Sequence, residues 1–154
     1  MPNTYTQIHI QIVFAVQNRR SLITKSWETQ LFQYITGIIQ NHGHKLLIIN
    51  GMPDHLHIFI GMRPTQSLSD LMRDVKGDSS HWINENKFVA GKFSWQEGYG
   101  AFSYSKSQIQ NVVRYIENQK QHHSKKSFTD EYTNILREFE IEYDERFIFK
   151  PIGD

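Results

Sequence analysis

Asp54-His55-Leu56-His57-Ile58-Phe59-Ile60 is the stretch from which the rest of the chain is best read. It follows the turn Asn50-Gly51-Met52-Pro53 and has the β-branched and aromatic content of a strand. Side chains on a strand alternate faces, so His55 and His57 share one face while Leu56, Ile58 and Ile60 share the other. At ~3.3 Å rise per residue the two histidine Cα atoms lie roughly 7 Å apart. That separation lets two ring nitrogens converge on one metal ion. It equally suits two hydrogen-bonded or exposed histidines, and the motif alone does not choose.

Upstream, Thr4 to Val16 alternates, with Ile8, Ile10, Ile12 and Phe14 on one side and Gln7, His9 and Gln11 on the other, which predicts a half-buried strand. A basic loop, Asn18-Arg19-Arg20-Ser21, leads to a helix capped by Thr24 or Ser26. Its apolar spacing runs through Leu31, Ile35 and Ile39 to a glycine stop at Gly43. Lys45 to Asn50 predicts a second strand, and the His-Leu-His strand comes third. Ser67 caps a second helix through Leu71, Met72 and Val75, continuing towards Trp82 and Ile83. Lys92 to Ser105 is aromatic and strand-like, and Gly98 and Gly100 around Tyr99 mark a bulge or a close backbone approach. A helix from Ser105 or Ser107 to Gln121, a basic hinge at 122–126, a helix from Phe128 to Phe139 and an acidic, aromatic tail complete the chain.

This β-α-β-β-α-β order predicts an α+β fold: a ferredoxin-like, RRM-like antiparallel sheet with helices on one face, extended by a C-terminal helix. The first and third strands then lie together at the sheet centre. His55 and His57 fall mid-sheet on the side opposite the helices, an open polar face of the kind on which RNA-recognition modules bind single strands. At 154 residues one domain is expected, divided into a sheet core over 1–104, a helix and hinge over 105–126, and a C-terminal helix and tail over 127–154.

With no cysteine, thiolate metal sites and disulfides are excluded. No apolar run approaches the ~20 residues of a membrane span, and no signal peptide is evident at the N-terminus, so a soluble cytoplasmic protein is expected. The formal net charge of +1 conceals an asymmetry: residues 1–126 carry 14 Lys and Arg against 8 Asp and Glu, and residues 127–154 carry 3 against 8. The basic body suits a polyanionic partner.

A second constellation lies on the helix after Ser107. Ile109, Val112, Val113 and Ile116 form its apolar stripe. Tyr115 sits about 110° from the centre of that stripe, at ~100° per residue. Gln119 is four residues on, on the same side. A Tyr and a Gln pointing together from a helix boundary suit one site, and a solvent-facing tyrosine is the ordinary alternative.

Pro53-Asp54-His55-Leu56-His57 on a strand, followed by Tyr115-Ile116-Glu117-Asn118-Gln119 on a later helix, resembles the small single-tyrosine HUH transposases of bacterial insertion sequences, where HUH stands for His, hydrophobic, His. The resemblance extends to the opening strand, to Trp95-Gln96-Glu97-Gly98-Tyr99-Gly100-Ala101-Phe102-Ser103, and to His122-His123. It implies that His55 and His57 bind Mg²⁺ or Mn²⁺, that Gln119 is a third ligand, and that Tyr115 is the nucleophile. It further implies a homodimer that cuts and rejoins single-stranded DNA at hairpin-marked element ends through a 5′-phosphotyrosine, in which the tyrosine helix of one subunit can complete the metal site of the other.

On that reading Arg19, Arg20, Lys120, His122, Lys125 and Lys126 are candidates for phosphate contacts. Lys120 or His122, with the cation, would ease ionisation of the phenol, whose ordinary pKa is ~10. Phe59, Tyr99 and Phe102 are candidates to stack bases, with core packing favoured for Phe102. The competing readings are a plasmid-type HUH nickase, a captured host-serving relative, a non-catalytic nucleic-acid-binding module, and a two-histidine phosphodiesterase.

Overall fold

The computed structural model describes residues 3–122 and 127–142, with the side chain of His122 left aside. Four strands, β1 (His9–Ala15), β2 (Lys45–Met52), β3 (His55–Gly61) and β4 (Gly100–Tyr104), form an antiparallel sheet in the order β2-β3-β1-β4. The helices are α1 (Glu28–Asn41), α2 (Leu68–Glu85), α3 (Ile109–Glu117), α4 (Gln119–His122) and α5 (Phe128–Glu138), with short 3₁₀ turns at Gln17–Arg19 and Lys106–Gln108. The expected α+β sandwich and the central pairing of the first and third strands are observed. In register, Gln11 faces Phe59 and Val13 faces His57.

One sheet face is built as the alternation predicts. Ile12, Phe14, Leu56, Ile58 and Ile60 are buried against Leu31, Ile35 and Ile39 of α1 and Leu71, Met72 and Val75 of α2. Ser67 caps α2 by accepting a hydrogen bond from the Asp70 amide at 3.1 Å.

The other face is not open. Val112 and Ile116 of α3 pack on Phe59, and Phe128, Tyr132, Ile135 and Leu136 of α5 pack on Val13, Ala15 and Phe102. The apolar stripes of these two helices need cover, and the sheet supplies it. Phe59 and Phe102 are therefore core residues with no face for a base. Tyr99 is partly buried against the first core.

The segment Lys92 to Ser105 is only partly strand. β4 begins at Gly100, and before it a single bridge joins Trp95 to Val16. Gly98, at φ 89°, separates the two stretches. Gly100 is a close approach, since a Cβ there would stand 2.5 Å from Tyr132 Oη. The predicted helix to Gln121 breaks at Asn118, whose φ of −96° and ψ of 20° end α3. Asn50 of β2 donates to the Ile116 and Glu117 carbonyls at 2.9 and 3.1 Å, satisfying groups that the helix end leaves without partners. Among the described residues no helix is long and apolar enough to cross a membrane.

Candidate active site

The covered second face encloses the two histidines. His55 and His57 are both fully buried, as are Gln11 and Gln119, and their ring centroids are 5.3 Å apart. Phe128 of α5 stacks on the His55 ring at 4.1 Å, and Tyr115 meets the His57 ring edge-on at 6.0 Å.

Glu131 of α5 joins these groups. Its Oε1 lies 3.2 Å from His57 Nε2 and 3.5 Å from His55 Nε2. Its Oε2 accepts hydrogen bonds from the Tyr115 hydroxyl and from Gln119 Nε2 at 3.0 Å. Gln119 Oε1 stands 3.4 Å from His55 Nε2. Four side chains nominated by the sequence, His55, His57, Tyr115 and Gln119, thus converge on a carboxylate that sequence reasoning missed. A signal for it exists. Phe128, Glu131, Tyr132 and Ile135 follow the i, i+3, i+4, i+7 spacing of a buried stripe, and an acid at a stripe position requires a buried partner. Asp130 and Glu131 stand together in the first turn of α5, where acids favour the helix dipole, so composition alone does not single Glu131 out.

Ligand atoms from His55, His57 and Glu131 all lie within 4.8 Å of one another. Two imidazole nitrogens, a carboxylate and the nearby amide oxygen of Gln119 form a donor set suited to a divalent cation such as Mn²⁺. The residues present fit the ion that the His-x-His motif suggests.

Electrostatics tie the cluster together. Burial alone would push His55 down, but hydrogen bonds to Asp54 and Glu131 outweigh it and the pKa is raised. Asp54 Oδ1 lies 2.7 Å from His55 Nδ1. Burial pushes Asp54 up, yet its bond to His55 and the charges of His55 and Arg19 hold it below the usual range. The Tyr115 phenol is held protonated, raised by burial first and then by Glu131. The expected help from Lys120 is not what the structure builds, because Lys120 Nζ ties α4 to Glu28 Oε1 at 3.1 Å and to the Gly51 carbonyl at 3.2 Å.

Of the remaining nominated cations, Arg19 donates to Thr129 Oγ1 and lies over the Phe128 ring at 5.7 Å, so its guanidinium is engaged with α5. Arg20 is exposed. Lys125 and Lys126 lie outside the described residues, as does the His122 side chain.

The sheet, the paired histidines and a half-buried tyrosine that meets them on one carboxylate define an α+β protein with a two-histidine site. Residues 4–119 match the family described as Transposase IS200 like, and the chain belongs to that family. It is 23% identical to the ISDra2 transposase TnpA of Deinococcus radiodurans over 122 residues, covering 73% of this chain and 84% of that one. Two solved structures share the fold. A putative transposase from Deinococcus radiodurans superposes with a TM-score of 0.61 at 20% identity, over 77% of this chain and 95% of that one. A REP-associated tyrosine transposase bound to a REP hairpin superposes with a TM-score of 0.58 at 16% identity, over 77% of this chain and 70% of that one.

Proposed function

We propose that this transposase cleaves and rejoins single-stranded DNA at hairpin-marked element ends, with Tyr115 as nucleophile. The observation that carries the proposal is the meeting of the Tyr115 hydroxyl and the His55 and His57 ring nitrogens on one buried carboxylate. A hairpin substrate is supported by the fold shared with a transposase bound to a REP hairpin. Rejoining two ends calls for two tyrosines, and we assign them to two copies of the chain.

His55, His57 and Glu131, with Gln119 beside them, would hold Mg²⁺ or Mn²⁺. Such an ion supplies Lewis-acid stabilisation of charge on the scissile phosphate and offsets the Glu131 charge that keeps the phenol protonated. The chain's own residues do the rest. Glu131 Oε2 and the edge of the His57 ring fix the phenol, so that little orientational freedom is lost on attack. Glu131 Oε2 is also the acceptor towards which the phenolic proton already points. Tyr115 Oη passes its proton to Glu131 Oε2 and forms a bond to phosphorus as the bond to the 3′ oxygen breaks, and that oxygen takes up a proton from solvent and leaves as a 3′-hydroxyl. The 5′-phosphotyrosine conserves the ester, so a later 3′-hydroxyl displaces the tyrosine and rejoins the strand without an external energy source. α3 and α5 screen the cluster from water, which would otherwise discard the intermediate. The exposed Arg20 is assigned to the phosphate backbone together with His122, Lys125 and Lys126, whereas Arg19 and Lys120 are engaged within the chain.

The test uses a hairpin-bearing single-stranded oligonucleotide from the DNA flanking the gene, incubated with protein and Mn²⁺. A denaturing gel should show a protein–DNA adduct that Tyr115→Phe abolishes. Free 5′-phosphate products from an active Tyr115→Phe protein would replace this reading with a phosphodiesterase.

A further inference from the structure

The two histidines are oriented by different partners, and only one partner matches metal binding. A histidine that ligates through Nε2 carries its proton on Nδ1. At His55 this is already arranged, because Nδ1 faces the Asp54 carboxylate at 2.7 Å, which only accepts. At His57, Nδ1 faces Gln11 Nε2 at 2.9 Å, and an amide nitrogen only donates. Gln11 Oε1 meanwhile accepts from the Tyr104 hydroxyl at 2.8 Å. In that arrangement the neutral His57 ring carries its proton on Nε2, facing Glu131 Oε1 at 3.2 Å. The pattern is self-consistent, but its Nε2 lone pair is used up.

We infer that Gln11 and Tyr104 are positioning residues forming a reversible relay that sets the tautomer of His57, and so whether that histidine can bind a metal. A half-turn of the Gln11 amide reverses every bond. His57 Nδ1–H then donates to Gln11 Oε1, and Gln11 Nε2 donates to the Tyr104 oxygen. Tyr104 is suited to this because a phenol hydroxyl donates in one state and accepts in the other. Gln11 is only 1% exposed, so bulk solvent does not reach either bond. The relay couples β4, through Tyr104, to the centre of the sheet. It also gives a role to a residue that the strand alternation marked only as facing the histidines.

The inference rests on the metal reading of the site, and the experiment separates the two. Ring-nitrogen NMR shifts of ¹⁵N-histidine-labelled protein read the tautomer directly. Metal-free wild-type His57 should be the Nε2–H form, and Zn²⁺, used as a diamagnetic probe, should convert it to Nδ1–H with Nε2 bound. Gln11→Glu, which only accepts, should show Nδ1–H without metal. Calorimetric titration with Mn²⁺ should give a Kd at least as tight as wild type for Gln11→Glu, and one about 10–100-fold weaker for Gln11→Met. Tyr104→Phe leaves Gln11 in place but removes a hydrogen bond from both amide orientations, so it should change the metal-free His57 tautomer ratio in the ring-nitrogen shifts, and it keeps the test open if Gln11→Met does not fold. Wild-type Mn²⁺ affinity in Gln11→Met together with a wild-type tautomer ratio in Tyr104→Phe, or an Nδ1–H His57 in metal-free wild type, would overturn the relay while leaving the metal site intact. Failure of wild-type protein to bind either ion would overturn both.

Discussion

The two faces of the sheet are both buried, yet they are built differently. The α1 and α2 side is almost wholly apolar, with Ile12, Phe14, Leu56, Ile58 and Ile60 among its members. The α3 and α5 side buries Gln11, His55, His57, Gln119 and Glu131 within an apolar rim. Buried polar groups are costly unless partnered, and here they partner one another. One face holds the fold together, and the other holds a polar network whose composition suits chemistry better than packing.

The sharpest break in this comparison comes from neighbours on β3. His57→Ala should reduce adduct formation about 10³-fold or more, the several kcal/mol expected of lost metal-site stabilisation, while melting temperature falls much less than in Ile58→Ala. Ile58→Ala should cost about 2–5 kcal/mol of stability, seen in denaturant midpoints, with adduct yield per folded molecule unchanged. If the two variants exchanged phenotypes, the division of labour between faces would be wrong.

Glu131→Gln keeps the shape of the network and removes its charge. Calorimetry should show Mn²⁺ binding weakened by about 10–100-fold, with adduct formation recovering only in part at high Mn²⁺, because the amide does not take up the phenolic proton. Gly100→Ala tests the seam between β4 and α5. Its Cβ would approach Tyr132 Oη at 2.5 Å, and relieving that contact should cost about 1–3 kcal/mol. Because α5 carries Glu131, this variant should also weaken Mn²⁺ binding, whereas Ile58→Ala should not.

The smallest effect concerns alkaline pH. Burial pushes the Tyr132 phenol up to about 12, above its unfolded value of ~10. A raised folded pKa gives a contribution fully present below pH ~10 and lost as pH rises through 12. Stability should therefore fall by about 1–2 kcal/mol across that window, and less in Tyr132→Phe, as read from urea midpoints.

Much of the first face was legible in the sequence because period-2 and period-3.6 patterns state burial directly: the strand alternation of Ile10, Ile12 and Phe14 and the stripe Leu31, Ile35, Ile39 appear where expected. The second face was misread as open because its residues are polar, and polarity alone does not distinguish solvent from a buried network. His55, His57, Tyr115 and Gln119 stood out as candidates through their spacing, and only the resemblance to HUH transposases drew them together into one site. Glu131 was hidden because its partners come from distant elements, with 74 residues separating it from His57. The break at Asn118 was hidden as well, since it depends on Asn50 of β2 capping the end of α3.

The central claim is that Tyr115, held against the histidine cluster by Glu131, forms the covalent bond to DNA. Peptide mapping by mass spectrometry of the adduct formed with the hairpin-bearing strand and Mn²⁺ tests it most directly. The account predicts a nucleotide-modified peptide carrying the DNA phosphate on Tyr115. A phosphate on Tyr99, Tyr104 or Tyr132 instead would contradict it.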